Sequence, residues 1–333
     1  MQNFASRLAA WQRRHGRRGL PWQGTRDPYR VWLAEVMLQQ TQVAAVIPYY
    51  ERFLGRFADI GALAAASQED VLRLWSGLGY YARGRNLVAA AKAIASQGAF
   101  PRTVEGMRAL PGVGRSTAAA IAVFAFGRRA AILDGNVKRV LARCFGVEGE
   151  KRQWELAERL LPSRGIRTYT QALMDLGATV CTRTQPACER CPVAARCVAR
   201  RENRIAELPA RRARPPLPLR HANWYIFVHC GQVLLERRPG AGLWGGLWTF
   251  PETRLPGVAK PRRLPPVEHR FTHFRLRAQP LLCAVRKATP RAEAPGRMWL
   301  DIADAAGAAV PTPVRTVLNS LLPVRADQPA QDL

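Results

Sequence analysis

The sequence predicts a mainly α amino-terminal domain followed by an α/β carboxy-terminal one. Three observations predict this. The 333 residues exceed the usual single-domain size. Through residues 1 to 197, apolar positions recur near a 3.6-residue period, in Val31 to Val43, Val71 to Leu74, Leu87 to Ile94, Thr117 to Phe126 and Val137 to Cys144. After an Arg- and Pro-rich stretch, β-branched and aromatic residues take over, as in NWYIFVHCGQVLLERRP.

Taken in order, Asp27 followed by Pro28 is a helix-start signal that launches DPYRVWLAEVMLQQTQV, and Pro48 marks a later break. Val198 to Arg220 carries seven arginines and four prolines and reads as an interdomain connector. The next run predicts two strands around a turn at Cys230 and Gly231, with Glu236 closing the second. The expected boundaries are 1–197, 198–220 and 221–325, with a frayed tail at 326–333. No internal repeat is evident.

Lys and Arg number 51 against 24 Asp and Glu, a formal charge of +27, which favours a polyanionic partner. By segment the excess is about +15 over residues 1–197, +5 over 198–220 and +7 beyond, so both domains are positioned to meet the polyanion. An Arg-rich chain without such a partner is the competing reading. No apolar stretch approaches the roughly 18 residues of a membrane span, and the amino terminus lacks a secretory core. A soluble, intracellular chain is expected.

Four of the seven cysteines, Cys181, Cys188, Cys191 and Cys197, are separated by six, two and five residues. One segment can thereby wrap a compact inorganic core with four thiolates, in a reducing compartment. Zinc also accepts four thiolates, but a zinc ribbon usually presents two separated CxxC knuckles. Arg183, Arg190, Arg196 and Arg200 flank the cluster, which suits a structural staple that presents cations to phosphates. Cys144, Cys230 and Cys283 are isolated and read as core packing.

LPGVGRSTAAAIAVFAF reads as a helix-hairpin-helix motif, with Gly112, Val113 and Gly114 in a tight turn and a helix starting at Ser116 or Thr117. The glycines let the main chain approach a ligand, and the helix start offers free N–H groups to a phosphate. A plain helical hairpin is the bland alternative. Glu35 lies among Trp32, Leu33, Ala34, Val36, Met37 and Leu38, an apolar setting that raises a carboxyl pKa and suits a proton donor. Gln39 and Gln40 follow, amides suited to nucleobase edges. In WSGLGYYARGRNL, Tyr80 and Tyr81 stand between glycines and the cations Arg83 and Arg85, a composition suited to wedging a ring into a base stack.

The C-x6-C-x2-C-x5-C spacing and the hairpin together resemble the endonuclease III and MutY superfamily of base-excision glycosylases over most of residues 1 to 200. That resemblance implies a 4Fe-4S cluster on Cys181, Cys188, Cys191 and Cys197. VWLAEVMLQQTQV resembles the MutY signature, which implies that Glu35 protonates the adenine ring and then activates water. Asp134, in LDGNVKRVLAR, is similar to the aspartate that stabilises the oxocarbenium-like sugar, covalently or by charge alone, with Asn136 as a hydrogen-bonding partner. It is also a normal helix N-cap. Bifunctional members carry a Schiff-base lysine where this chain has Ser116, so a monofunctional enzyme is implied. Lys138 then serves phosphate contact or incidental trapping of the abasic sugar.

The same resemblance makes Tyr80 the wedge and Trp22, Gln23, Leu38 and Gln171 adenine-pocket positions; some members have arginine and glutamate in place of Gln23 and Gln171. GLWGGLWTFPE and HRFTHFRL resemble the carboxy-terminal Nudix-like MutY domain that inspects 8-oxoguanine. Its Phe-Ser-His loop is here Phe271, Thr272 and His273, which keeps the hydroxyl. The magnesium-binding REXXEE helix of Nudix hydrolases is missing, with Arg262, Arg263 and prolines in its stead. The implied function is hydrolysis of adenine from double-stranded DNA opposite 8-oxoguanine or G, by a cytoplasmic, nucleoid-associated bacterial monomer. An endonuclease III-like lyase on oxidised pyrimidines and a non-catalytic iron-sulfur DNA-binding protein are the alternatives.

Overall fold

The computed structural model describes residues 2–210, 215–256, 258, 260–285 and 296–322. The expected tail at 326–333 and residues 211–214 of the connector lie outside them. The chain forms two compact units, Met1–Ala65 with Asn86–Arg214 and Ala66–Arg85 with Pro215–Leu333.

The first unit is helical. Phe4, Leu8 and Trp11 fall on one face of the Gln2–His15 helix and join Val140, Leu141, Tyr169 and Leu173 in a single core. The Arg115–Phe126 helix buries Ala118 to Val123, small side chains that let the Pro28–Met37 helix pack closely against it. Asp27 caps that second helix, its carboxylate accepting from Tyr29 N at 2.9 Å. Trp32, Leu33 and Met37 are wholly buried, Trp32 edge-on to Phe100.

Three local expectations are corrected. The helix predicted to run from Val31 to Val43 ends at Met37, Gln40 turns left-handed at φ 57°, and a new helix spans Val43–Arg56. The polar QQTQ run cannot extend the buried stripe. Pro48 lies inside the Val43–Arg56 helix rather than at a break, because burial of Val46, Tyr50 and Phe53 around it offsets one lost backbone bond. The connector was expected from Val198, yet Val198–Arg201 is helical, and Ala199 and Leu208 belong to the same core as Cys197. Isolated apolar residues of this kind leave no periodic signal.

Among the described residues the second unit forms a mixed seven-stranded sheet. Its strands are β1 (Leu219–His229), β2 (Gln232–Arg237), β3 (Trp248–Thr249), β4 (Arg262–Arg263), β5 (Val267–Arg270), β6 (Arg275–Ala284) and β7 (Arg297–Asp301). The order is β3-β2-β1-β6-β4, with β5 on β6 and β7 on β2; β1 and β6 pair in parallel from Leu219↔Arg275 to Val228↔Ala284. Cys230 and Gly231, at φ 44° and 77°, make the two-residue turn between β1 and β2. The Gln68–Trp75 helix belongs to this unit although the sequence expectation placed it in the first domain. Trp248 Nε1 donates to Glu69 Oε1 at 2.8 Å and Ser76 Oγ to Val310 O at 2.5 Å. Contacts spanning more than 170 positions have no local signature. Among the described residues no helix is long and apolar enough to cross a membrane.

Candidate active site

Glu35 sits in the third turn of the Pro28–Met37 helix and faces a cavity of about 390 Å³, within the range of small-molecule sites. Val31, Ala34, Leu38 and Phe124 give that cavity apolar walls. They strip water from the Glu35 carboxyl and, with the nearby Asp134 carboxylate as a smaller contribution, push its pKa up to about 8. At neutral pH the group is mostly a protonated acid. Trp22, Gln23, Leu38 and Gln171 line the same cavity, so the five positions expected there are brought together. Trp22 stands edge-on to Tyr50 with centroids 5.3 Å apart. Gln39 and Gln40 are not in the lining. Gln39 Nε2 donates to Gly112 O and Thr117 Oγ1, both at 3.2 Å, and so ties the end of the acid's helix to the hairpin; Gln40 is exposed.

Asp134 caps the Gly135–Phe145 helix, its carboxylate accepting from Val137 N at 2.7 Å. Burial raises its pKa, while the amides of Val137 and Asn136 hold it down. A desolvated anion held by main-chain donors can face a growing positive charge without rearranging. Ser116 reaches the same place from the hairpin, its hydroxyl accepting from Leu133 N at 3.0 Å and fixing the lead-in to Asp134. The hairpin turn needs Gly112, which has φ 76° and whose Cβ would lie 2.8 Å from that of Asn86. Val113 is buried, and Gly114 caps the Arg115–Phe126 helix without a side-chain bond, which leaves first-turn N–H groups free of a cap. That helix begins one residue before the expected Ser116. Lys138 pairs with Glu150 at 3.1 Å near the surface.

Cys181, Cys188, Cys191 and Cys197 line one small cavity with Arg143 and Arg200. Among the described residues no three His, Cys, Asp or Glu side chains converge closely enough for a single metal ion. Thiols without a competing carboxylate or imidazole are the donor set of soft metals and of iron-sulfur clusters, so the residues present fit a group held by four thiolates. Cys144, read from sequence as isolated core, is a fifth cysteine on this cavity, and Cys230, expected in the core, is exposed; only Cys283 is buried away from other thiols. No spacing rule links Cys144 to a motif 37 positions on.

Two arginines that sequence reasoning passed over join the cysteine segment to the Asp134 helix. Arg139 Nε donates to Cys181 O at 2.7 Å and Nη2 to Asn136 Oδ1 at 2.7 Å and to Gly177 O at 2.6 Å. A Cβ on Gly177 would lie 2.6 Å from that of Asn136, so the approach of these backbones requires glycine. Arg143, 4 % exposed, donates to the carbonyls of Leu208, Thr182 and Arg183 at 2.6–2.9 Å and points Nη1 at Cys181 Sγ, 3.6 Å away. Arg143→Leu strands three carbonyls at once, and urea unfolding should show a loss of at least about 3 kcal/mol.

In the second unit Phe271 stacks on Phe274 with centroids 4.4 Å apart and meets Trp244 at 5.5 Å. Phe271 N donates to Phe274 O at 2.9 Å, closing a turn that leaves Thr272 and His273 exposed at its tip. Thr272 Oγ1 and His273 Nδ1 are 3.4 Å apart. Tyr80 is 45 % exposed, left-handed at φ 49°, and carries the Arg83 guanidinium 5.3 Å over its ring. Tyr81 is buried, its hydroxyl accepting from Gly77 N.

Residues 33–163 match the HhH-GPD superfamily of base excision DNA repair proteins, and residues 223–320 match a NUDIX domain. Over 338 residues the chain is 31 % identical to the adenine DNA glycosylase of Buchnera aphidicola subsp. Baizongia pistaciae, covering 96 % of each chain. The chain belongs to the adenine DNA glycosylase family. The Mus musculus adenine DNA glycosylase is 33 % identical over 399 residues, which cover 95 % of this chain and 77 % of that one. Among solved structures, a thermostable thymine-DNA glycosylase superposes with a TM-score of 0.56 at 30 % identity, covering 60 % of this chain and 95 % of its own. Endonuclease III from a non-covalent DNA complex gives a TM-score of 0.53 at 22 % identity over 60 % of this chain and 94 % of its own, a likeness of fold. An adenine DNA glycosylase of this family is therefore a base excision repair enzyme built from a helix-hairpin-helix unit and a Nudix-like one.

Proposed function

We propose that the chain hydrolyses the N-glycosidic bond of adenine opposite 8-oxoguanine or guanine in double-stranded DNA and leaves an abasic site. The observation that carries this is Glu35, a carboxylic acid with pKa about 8 on a cavity able to take a base, near a second, half-buried carboxylate, Asp134. Adenine leaves poorly as an anion, so Glu35 gives its proton to a ring nitrogen as the C–N bonding pair moves onto the base. Asp134 offsets the positive charge left on the sugar. The Glu35 carboxylate then takes a proton from the water that adds to the sugar carbon, which restores the acid. Ser116 holds no amine for a Schiff base, so the strand stays intact.

Main-chain N–H groups at Gly112 and Gly114 and the helix start after them suit a backbone phosphate, while the Val113 N–H closes the turn on Leu110 O at 3.2 Å; Lys138, paired with Glu150, is a further cation. Tyr80 suits the gap left by the extruded base, and the Phe271, Thr272 and His273 turn suits the base opposite. Cys181, Cys188, Cys191 and Cys197 would hold a 4Fe-4S cluster, which supplies a cross-link of the segment that carries Arg183, Arg190, Arg196 and Arg200. The chain acts as a monomer in the bacterial cytoplasm at the nucleoid. Duplexes with A opposite 8-oxoguanine, A opposite G, and thymine glycol, scored separately for base loss and strand breakage, test the reading. Base loss from the first two with breakage only after alkali is expected. Breakage without alkali, or activity confined to thymine glycol, overturns it.

A further inference from the structure

Asp175 is a carboxylate with no exposed surface, and the chemistry above does not use it. It ends the Ile166–Asp175 helix beside the Glu35 cavity without itself lining it. Its Oδ1 accepts from Arg17 Nε at 2.7 Å and Gln171 Nε2 at 2.9 Å; its Oδ2 accepts from Gln12 Nε2 and Arg17 N, each at 3.0 Å. Four donors match the four lone-pair sites of a carboxylate, so Asp175 has nothing left to offer a substrate. Its donors Gln12, Arg17 and Gln171 all line the cavity. The network continues one step further, since Arg17 O accepts from Gln23 Nε2 at 3.1 Å and Gln23 Oε1 in turn accepts from Leu20 N at 3.3 Å.

The consequence lies in the direction of one amide. An amide side chain can present either its NH2 or its carbonyl to a ligand, and the two select opposite partners. Gln23 has both ends engaged by backbone. Gln171 has its nitrogen engaged by Asp175, and no hydrogen bond to its Oε1 is made among the described residues. We propose that Asp175 is a positioning residue for base selection: it holds the Gln171 amide with the carbonyl as the presented group, so the cavity accepts a purine bearing an exocyclic amine and rejects one bearing an exocyclic oxygen. A 6-oxopurine would set its own acceptor against a carbonyl that cannot flip, because flipping would point that carbonyl at the Asp175 carboxylate. Rejection by a mismatched buried polar pair is far stronger than rejection by size.

This inference rests on the adenine reading and deepens it. Single-turnover release of adenine and of hypoxanthine, each opposite 8-oxoguanine, is measured for the full-length chain and three variants, with duplex binding and thermal unfolding alongside. Asp175→Asn frees the amide to rotate, and the adenine-to-hypoxanthine ratio is expected to fall at least tenfold. Gln171→Glu places two carboxylates together and is expected to lose adenine release. Gln171→Glu with Asp175→Asn reverses donor and acceptor between the two positions while still presenting an oxygen to the base, so preference for adenine should return. A merely structural Asp175 would lower both rates together, leave the ratio unchanged and give no rescue by the exchanged pair; that result overturns the inference. If Asp175→Asn does not fold, a fourth variant that leaves Asp175 in place, Gln171→Leu, decides: loss of the presented carbonyl should lower the adenine-to-hypoxanthine ratio, and an unchanged ratio overturns the inference. Failure of the wild-type chain to release adenine at all would instead overturn the activity, a result distinct from an unchanged ratio.

Discussion

Glu35→Gln is expected to lower single-turnover adenine release by about 10²–10⁴-fold, the range for loss of a general acid, and to leave binding to duplex DNA in place. Glutamine keeps the shape of the side chain on the cavity wall but has no proton to give. The wild-type rate should also depend on pH with a definite sign. The acid form works, so the limb assigned to Glu35 is flat below pH 8 and falls as pH rises through about 8, the value to which burial pushes this carboxyl. A limb falling near pH 4.5 would mean that the group is an ordinary solvated glutamate. Stability gives an independent readout. A carboxyl whose folded pKa lies above its unfolded value weakens the fold progressively as pH rises from about 4.5 to about 8. Glu35→Gln removes that cost, so at pH 7 the variant should unfold at higher temperature, a gain on the order of 1–3 kcal/mol. An inactive variant that is also less stable would instead point to a packing defect.

Asp134→Asn is expected to cut the same rate by roughly 10²–10³-fold or more while changing stability by less than about 1 kcal/mol. Asparagine caps a helix as well as aspartate does, so its side-chain oxygen can still accept from Val137 N. Only the negative charge is lost. The two readings of this residue, helix cap and partner of a sugar cation, are thereby separated in one variant by rapid-quench kinetics and a thermal melt. Asp134→Ala removes both functions and should lose about a further 1 kcal/mol of stability at similar residual activity. Equal rates in wild type and Asp134→Asn would leave only the capping role.

The chemistry-bearing residues were legible because their neighbours in sequence create their environment. Glu35 is flanked within one helix by the apolar residues that desolvate it, Gly112 and Gly114 bracket their own turn, and the four cysteines fall within one short segment. Phe271 to His273, read as a loop from the resemblance alone, close the turn between β5 and β6, and their contact with a lesion belongs to the proposed function. Misreadings arose where a distant partner decides. Gln39 follows helical periodicity from Glu35 but is drawn away to Gly112 and Thr117. Ser116 shows a missing lysine to the sequence reader, and only the fold shows it holding Leu133.

What the sequence by itself determined is the family and the local settings of Glu35, Asp134 and the four cysteines, since each is written in local pattern and spacing. What only the tertiary structure decided is how polar groups are satisfied in the interior. Asp175, Arg139 and Arg143 look like unremarked charges along helices, yet together they fix the cavity's amides, the approach to Asn136 and the cysteine segment. The Gln68–Trp75 helix and Cys144 found their places in the same way. The reason is common to all of them: a buried donor or acceptor must be matched by whatever the fold brings within 3 Å, and that partner stands anywhere in the chain.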